Sequence, residues 1–258
     1  MESAQLFIGY DWTLFTGRVD AVDAHRNPAH TLIMGIDGPY AMGNGVPRLV
    51  RSAWVFPGAT VPALNYQGTR IAQLLLGPHH PVARHARHLG SEALITDGLP
   101  SVLTTELSDI MDRAARGDMV PEGVLGRLDD HLPGPKALVL DPRVQRIIDI
   151  LLEQPRPPAD QEALANEVEL SASGLGQLFR DELGVSFGRF RLWTRMQRFA
   201  MAIGVSGSIT EAALSAGFRD PGQLARDFRM LFGLKPSSII RNAQPLAIHP
   251  LFERSKAP

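Results

Sequence analysis

Histidine is the first residue type to weigh in this chain, because an imidazole near neutral pH can ligate a metal or move a proton. His25, His30, His79, His80, His85, His88 and His131 all precede the C-terminal half. None of them forms an H-x-H pair followed at short spacing by an acidic ligand. His79 and His80 are adjacent and ill-suited to share one ion. His85 and His88 have i, i+3 spacing but are flanked by Arg84 and Arg87. There is no cysteine, so thiol nucleophiles, zinc-thiolate sites and disulfides are excluded. No G-x-S-x-G, P-loop or G-x-G-x-x-G pattern occurs. The expectation is no catalytic residue, no metal and no cofactor, with structural histidines; a metal-dependent barrel enzyme stays as an alternative.

A second chemistry is carried by amides and arginines on helices. In Ser208–Lys235, SITEAALSAGFRDPGQLARDFRMLFGLK, Ala212, Ala213 and Ala216 suit a tightly packed short helix. Gly217 suits a sharp reversal, Asp220 a helix cap and Pro221 the first helical position. Leu224, Phe228, Leu231 and Phe232 then fall on one face, leaving Gln223, Arg226 and Arg229 on others. The pattern is helix, tight turn, capped helix with a polar and basic outer face. It recurs some fifty residues earlier: Leu164, Ala165 and Val168 point inward in a short helix, and Ser171 caps the next. There Leu175, Leu178 and Phe179 face in, while Ser173, Gly174, Gly176, Gln177 and Arg180 face out. The closing phrases LFRDELGVSF and DFRMLFGLKP correspond. Between them SFGRFRLWTRMQRFAMAI predicts one long helix capped by Ser186.

Residues 4 to about 78 predict short strands separated by IDGPY, GNGVP and FPGATVP turns, an antiparallel barrel or sandwich. Such a fold can enclose a small ligand. Trp12, Tyr40, Trp54 and Tyr66 are candidates for lining it, with plain core packing as the other reading. Residues 101–131 predict two helices, the first striped by Leu103, Leu107, Ile110 and Met111. That stripe packs on its own barrel or forms a dimer contact. A linker is placed at 133–141, followed by a helix capped by Asp141 with Pro142 at its start.

The segments LANEV–LS–LGQLFRDELGVSF (164–187), Arg195 with Met196, and ITEAALSAGF through FGLKP (209–236) resemble the AraC/XylS family of bacterial transcription regulators. The resemblance covers roughly residues 142–241. It implies two helix-turn-helix units joined by a linker helix, each placing its second helix in successive major grooves of double-stranded DNA. It also implies an N-terminal barrel that binds an effector and dimerises; residues 1–132 share only the layout. Three departures stand out: Glu169 where the family has Gly, Phe199 where it has a small residue, and Pro221–Gly222 in place of longer polar side chains. The expected DNA-facing residues are Ser173, Gly174, Gln177 and Arg180 in one unit and Gly222, Gln223, Arg226 and Arg229 in the other.

Charge follows the same division. Residues 1–141 hold 11 Lys+Arg against 15 Asp+Glu, whereas 180–241 hold 10 against 5. No long apolar run and no secretory leader is recognisable, which suits a cytoplasmic protein. The expected fold is α+β multidomain: a cupin-like antiparallel barrel with two helices (1–132), a linker (133–141), an all-α double helix-turn-helix domain (142–241) and a tail (242–258). The expected function is an effector-controlled, DNA-binding transcription regulator, with a small molecule of unknown identity, a second copy and RNA polymerase as further candidate partners and no membrane. The alternative keeps the DNA-binding half and gives the N-terminal half only dimerisation or docking.

Overall fold

The computed structural model describes residues 4–87, 94–97, 101–116, 118, 123–131, 139–153, 160–240 and 246–251. Residues 133–138 of the expected linker, most of the expected tail, His88 and the side chains of Leu103 and His131 lie outside them. Strands come first: β1 (Ala4–Ile8), β2 (Trp12–Arg18), β3 (Ala21–Val22), β4 (His25–Arg26), β5 (His30–Gly35), β6 (Tyr40–Met42) and β7 (Arg48–Val50). They continue with β8 (Ser52–Val55), β9 (Thr60–Val61), β10 (Leu64–Asn65) and β11 (Arg70–Leu76). Then α1 (Pro81–Ala86), β12 (Leu94–Thr96), α2 (Ser101–Ala115) and α3 (Gly123–His131) follow.

A seven-stranded sheet, ordered β12-β8-β5-β11-β2-β1-β13 with β13 (Leu246–Pro250) coming from the far end of the chain, carries this half, with a four-stranded sheet β3-β10-β6-β7 and a β4-β9 pair beside it. Because successive strand residues face opposite ways, the large sheet feeds two cores. Leu14, Leu32, Met34 and Leu74 face one way and are covered by α1, α2 and α3 through Val82, Leu107, Met111 and Leu128. Their neighbours Phe15, Ile33 and Ile71 face the other way, against Tyr40, Met42, Leu64 and Tyr66 of the smaller sheet. The strands therefore read as near-continuous apolar runs: both faces are buried.

The helical half comprises α4 (Pro142–Glu153), α5 (Gln161–Asn166), α6 (Ala172–Leu183), α7 (Phe187–Ser206), α8 (Ile209–Ser215), α9 (Pro221–Phe232) and α10 (Pro236–Ile240). The expected cap of α4 is present: Asp141 Oδ1 accepts from the Arg143 N–H at 2.8 Å. Leu175, Phe179, Phe187 and Phe190 centre one small core. Met196, Ala212, Ala213, Leu224 and Phe228 centre the other.

Two expectations are corrected here. Residues within the expected tail form β13 (Leu246–Pro250), which pairs in parallel with β1, Ala4 opposite Leu246 and Ile8 opposite Pro250. The N-terminal sheet is thus finished by the far end of the chain. His249 stacks on Phe7 with ring centres 4.7 Å apart and meets Gln5 Oε1 at 2.7 Å, which holds this register. Second, Gly176 does not face outward. It is buried, and a Cβ there would lie 3.3 Å from Gln161 Nε2, so it lets α6 close on α5.

Candidate nucleic-acid interface

The two helical units share their turn, cap and end chemistry. In the first, the Leu170 N–H donates to Ala165 O at 3.0 Å across the turn; in the second, Phe218 N–H donates to Ala213 O at 3.0 Å. The turn residue has positive φ in both, +56° at Glu169 and +85° at Gly217. Glu169 therefore adopts the backbone glycine takes with no Cβ penalty, which keeps the turn and adds strain. Ser171 caps α6 through the Gly174 N–H at 3.1 Å, and Asp220 caps α9 through the Gln223 N–H at 2.7 Å. Both helices end on a left-handed glycine, Gly184 (φ 71°) and Gly233 (φ 68°). Phe199 is buried, its ring edge-on to Phe228 at 6.3 Å; the larger side chain is absorbed by the second unit's core.

On α6, Ser173, Gln177 and Arg180 are exposed and Gly174 is half-buried. They are tied to one another: Gln177 Nε2 donates to Asp181 Oδ1 at 2.8 Å and Arg180 donates to Gln177 Oε1 at 3.3 Å. On α9, Gly222, Arg226 and Arg229 are exposed. A Cβ on Gly222 would crowd the capping Asp220 Oδ1 at 3.0 Å and stand in ordinary contact with an Arg226 guanidinium nitrogen at 3.4 Å. Gln223 is engaged differently. Its Oε1 accepts from the Arg219 N–H at 2.9 Å while its own N–H is bound by Asp220, a reciprocal cap of the helix N-terminus. Its side chain also hydrogen-bonds Asp227, whose carboxyl is raised by burial against the pull of Arg195 and Arg226. That leaves Arg226 as the long, exposed side chain on this helix's leading turns. Arg226, Arg229 and Lys235 line one groove with Ile209 and Pro221. Lys235 and the exposed Arg219 are additions that helical periodicity does not reveal, because both sit just outside α9.

The other expected sites lie elsewhere. Trp12 and Trp54 pack in the core under α2, while Tyr40 and Tyr66 pack together in the opposite core, rings 5.4 Å apart. Leu107 and Met111 are fully buried against the chain's own sheet, with Ile110 partly so, which takes the first two out of reach of a dimer contact. The histidines hold structural posts. His30 Nδ1 accepts from the Trp54 indole at 3.2 Å, His80 Nδ1 caps α1 through Val82 N–H at 3.1 Å, and His85 meets Asp129 at 3.0 Å. Among the described residues no three His, Asp or Glu side chains gather to hold a metal ion.

The two halves meet along a seam. Tyr10 OH donates to Asp149 Oδ1 at 3.3 Å, and Gln197 Nε2 donates to Tyr10 O at 3.3 Å. Arg87 donates to Glu182 O at 2.6 Å, at the end of α6, and Asp23 N–H donates to Gly233 O at 2.9 Å, at the end of α9. Each recognition-type helix is thus touched at its C-terminus by the N-terminal half. Between the halves lies a cavity of about 100 Å³, lined by Phe15, Tyr66 and Ile71 from one side and Phe199, Ile203 and Phe228 from the other. Of the four aromatic candidates, Tyr66 reaches it.

A helix-turn-helix domain model matches residues 164–242. An uncharacterised HTH-type transcriptional regulator of Haemophilus influenzae is 26% identical over 144 residues, 55% of this chain and 44% of that protein, so the match spans less than half of its length. The crystal structure of ToxT from Vibrio cholerae O395 is similar over 90% of this chain and 97% of its own, with TM-score 0.57 and 11% identity. ToxT has also been solved bound to (E)-4-(8-methylnaphthalen-1-yl)but-3-enoic acid (TM-score 0.54, 10% identity, 90% and 98% covered). A probable AraC family transcriptional regulator from Rhodopseudomonas palustris CGA009 is 31% identical over 41% of this chain and all of its own, with TM-score 0.35. The ToxT likeness carries the two-part fold, and the helix-turn-helix domain match carries residues 164–242. The chain thus carries a helix-turn-helix domain at residues 164–242 within a two-part fold similar to that of ToxT.

Proposed function

We propose that this chain is a sequence-specific regulator that lays α6 and α9 in successive major grooves of double-stranded DNA and is controlled by a small molecule at the seam. The observation that carries the DNA reading is the duplicated unit: two capped helices with exposed Gln177, Arg180 and Arg226, joined by the 20-residue α7. At 1.5 Å per residue α7 is about 30 Å long. One turn of B-DNA is roughly 34 Å, so the two units suit grooves on one face of the duplex. Arg226 is assigned to a base edge, for which guanine O6/N7 is the commonest partner of arginine. Arg229 and Lys235 are assigned to phosphates. Ser173, Gln177 and Arg180 supply the other half-site.

The effector reading rests on the seam cavity, which touches both halves, and on the ligand-bound ToxT neighbour. A molecule there would favour one arrangement of the halves over another, as control by a ligand requires. We further propose that the protein acts in the cytoplasm as a homodimer, with RNA polymerase as a further partner. The test of the DNA reading is selection of duplexes from a random library by the full chain. Two half-sites spaced by about one helical turn are expected; enrichment of no sequence, or of one half-site only, would overturn it.

A further inference from the structure

We infer that α7 is itself a DNA contact: Arg191 and Arg195 bind backbone phosphates of the duplex between the two half-sites. This rests on the DNA reading above and adds a third point of grip to it.

Direction is the first observation. The N-terminal half meets α7 along one side. Phe190 stands edge-on to His79 at 5.3 Å, Trp193 packs with Ala29 and Leu75, and Gln197 donates to Tyr10 O. A Cβ on Gly204 would lie 3.2 Å from Ile248 of β13 on the same side. Arg191 and Arg195 flank Trp193 at two residues on either side, which is about 200° round a helix of 3.6 residues per turn. Both arginines therefore face away from the N-terminal half. The C-termini of α6 and α9 lie against that half, through Arg87 to Glu182 O and Asp23 to Gly233 O. Their N-terminal turns, the part that a recognition helix sets against base edges, lead away from it, as the arginines do.

Charge is the second. Arg191 and Arg195 are like charges at i, i+4, a pair that repels on a helix, and both are half-buried. The Arg191 guanidinium lies over the Phe187 ring, 5.9 Å from its centre. Burial and then Arg195 lower its pKa, against the pull of Asp160, the N-cap of α5. Asp227 of α9 faces Arg195 but is shared with Arg226. Among the described residues neither α7 arginine forms an ion pair. Two crowded guanidiniums between the start of α5 and α9 suit an anion that arrives from outside, and phosphate matches their planar fork.

Reach is the third. With α6 and α9 in successive major grooves, the backbone between those grooves faces α7. Four residues set the arginines about 6 Å apart along the helix axis. One strand of B-DNA carries a phosphate every 3.4 Å or so of axis, so the pair spans roughly two phosphate steps.

The experiment follows the full chain on its selected duplex by fluorescence anisotropy across a potassium chloride series. Arg191→Met and Arg195→Met should each reduce the slope of log affinity against log salt by about 0.9, and the double variant by about 1.8, with base preference unchanged. Methionine at 191 keeps an apolar stem against Phe187, and lysine at either position keeps the charge and should restore the slope. Uncharged methylphosphonates placed between the half-sites should weaken the wild type and leave the double methionine variant unaffected. An unchanged slope and affinity in that variant would make the ridge a solvated face and overturn the inference while the DNA reading stands. Weaker binding with an unchanged slope, not rescued by lysine, would make the arginines structural and overturn it equally. Absence of any selected duplex removes the DNA reading and this contact with it.

Discussion

The backbone N–H of Asp23 donates to the carbonyl of Gly233 at 2.9 Å, tying a loop of the N-terminal half to the C-cap of α9. A Cβ on Gly233 would strike Asp23 O and lie 2.7 Å from Val22 Cγ1 and 2.8 Å from His25 Nδ1. Gly184 occupies the same left-handed cap on α6, but its Cβ would meet only the movable Arg87 guanidinium, at 3.1 Å. Each Gly→Ala change carries about 1 kcal/mol for the left-handed backbone. Gly233→Ala should therefore lower the urea midpoint distinctly more than Gly184→Ala, and should speed proteolysis between the halves. Equal losses would show that the Gly233 contact does not hold them together.

Glu169 invites the opposite change. Its φ of +56° costs roughly 1–2 kcal/mol for a residue with a Cβ, and it is exposed. Glu169→Gly is expected to stabilise the chain by up to about 1 kcal/mol, the gain being reduced by glycine's greater freedom in the unfolded chain. Thermal unfolding checks it, and a lower midpoint would contradict the strain.

Gln223 and Arg226 should separate cleanly. Arg226→Ala is expected to weaken binding to the selected duplex by about 1–3 kcal/mol and relax preference at one base. Gln223→Ala should chiefly lower stability, by about 1 kcal/mol through the lost reciprocal cap, with base preference unchanged. Fluorescence anisotropy on the wild-type site and its single-base variants distinguishes the two.

Acid sensitivity should follow from two buried histidines. Burial lowers His79 from 6.5 to about 4; Asp11 and Asp149 pull it up, and His80 and Arg84 push it down. Burial, with Arg87 and His80 adding, lowers His30 to about 3. Both folded pKa values lie below the unfolded one, so the unfolded chain takes up protons that the folded chain refuses. Stability is full above pH 6.5 and falls as pH drops toward 4. Between pH 7 and 5 His79 alone accounts for roughly 2 kcal/mol. His79→Leu should shrink the pH slope of the urea midpoint without removing it, since His30 remains. An unchanged slope would count against burial as the cause.

The helical half was legible because its signals are local. Caps such as Ser171 and Asp220 and the reversal at Gly217 act within four residues, and the duplication let one unit vouch for the other. Side-chain roles were less so. Gln223 satisfies the periodicity of an outward residue, yet the residue just before the cap recruits it. Gly176 looks outward on a wheel until α5 closes on it. In the N-terminal half, aromatic residues mark core and pocket alike, and only tertiary packing separates Tyr66 from Trp12, Tyr40 and Trp54. The pairing of Ala4 with Leu246 joins residues far apart in sequence, and no local rule foresees it.

That pairing sets an order of events during synthesis. The strand that completes the N-terminal sheet leaves the ribosome after α4 to α10, although domains generally fold as units beginning with the N-terminal one. Until β13 arrives, β1 presents an open edge, the kind of backbone that recruits stray strands. The nascent chain must therefore carry an unfinished N-terminal sheet through the making of its helical half, and a ribosome stalled before Leu246 would release a chain whose first sheet is still unsealed.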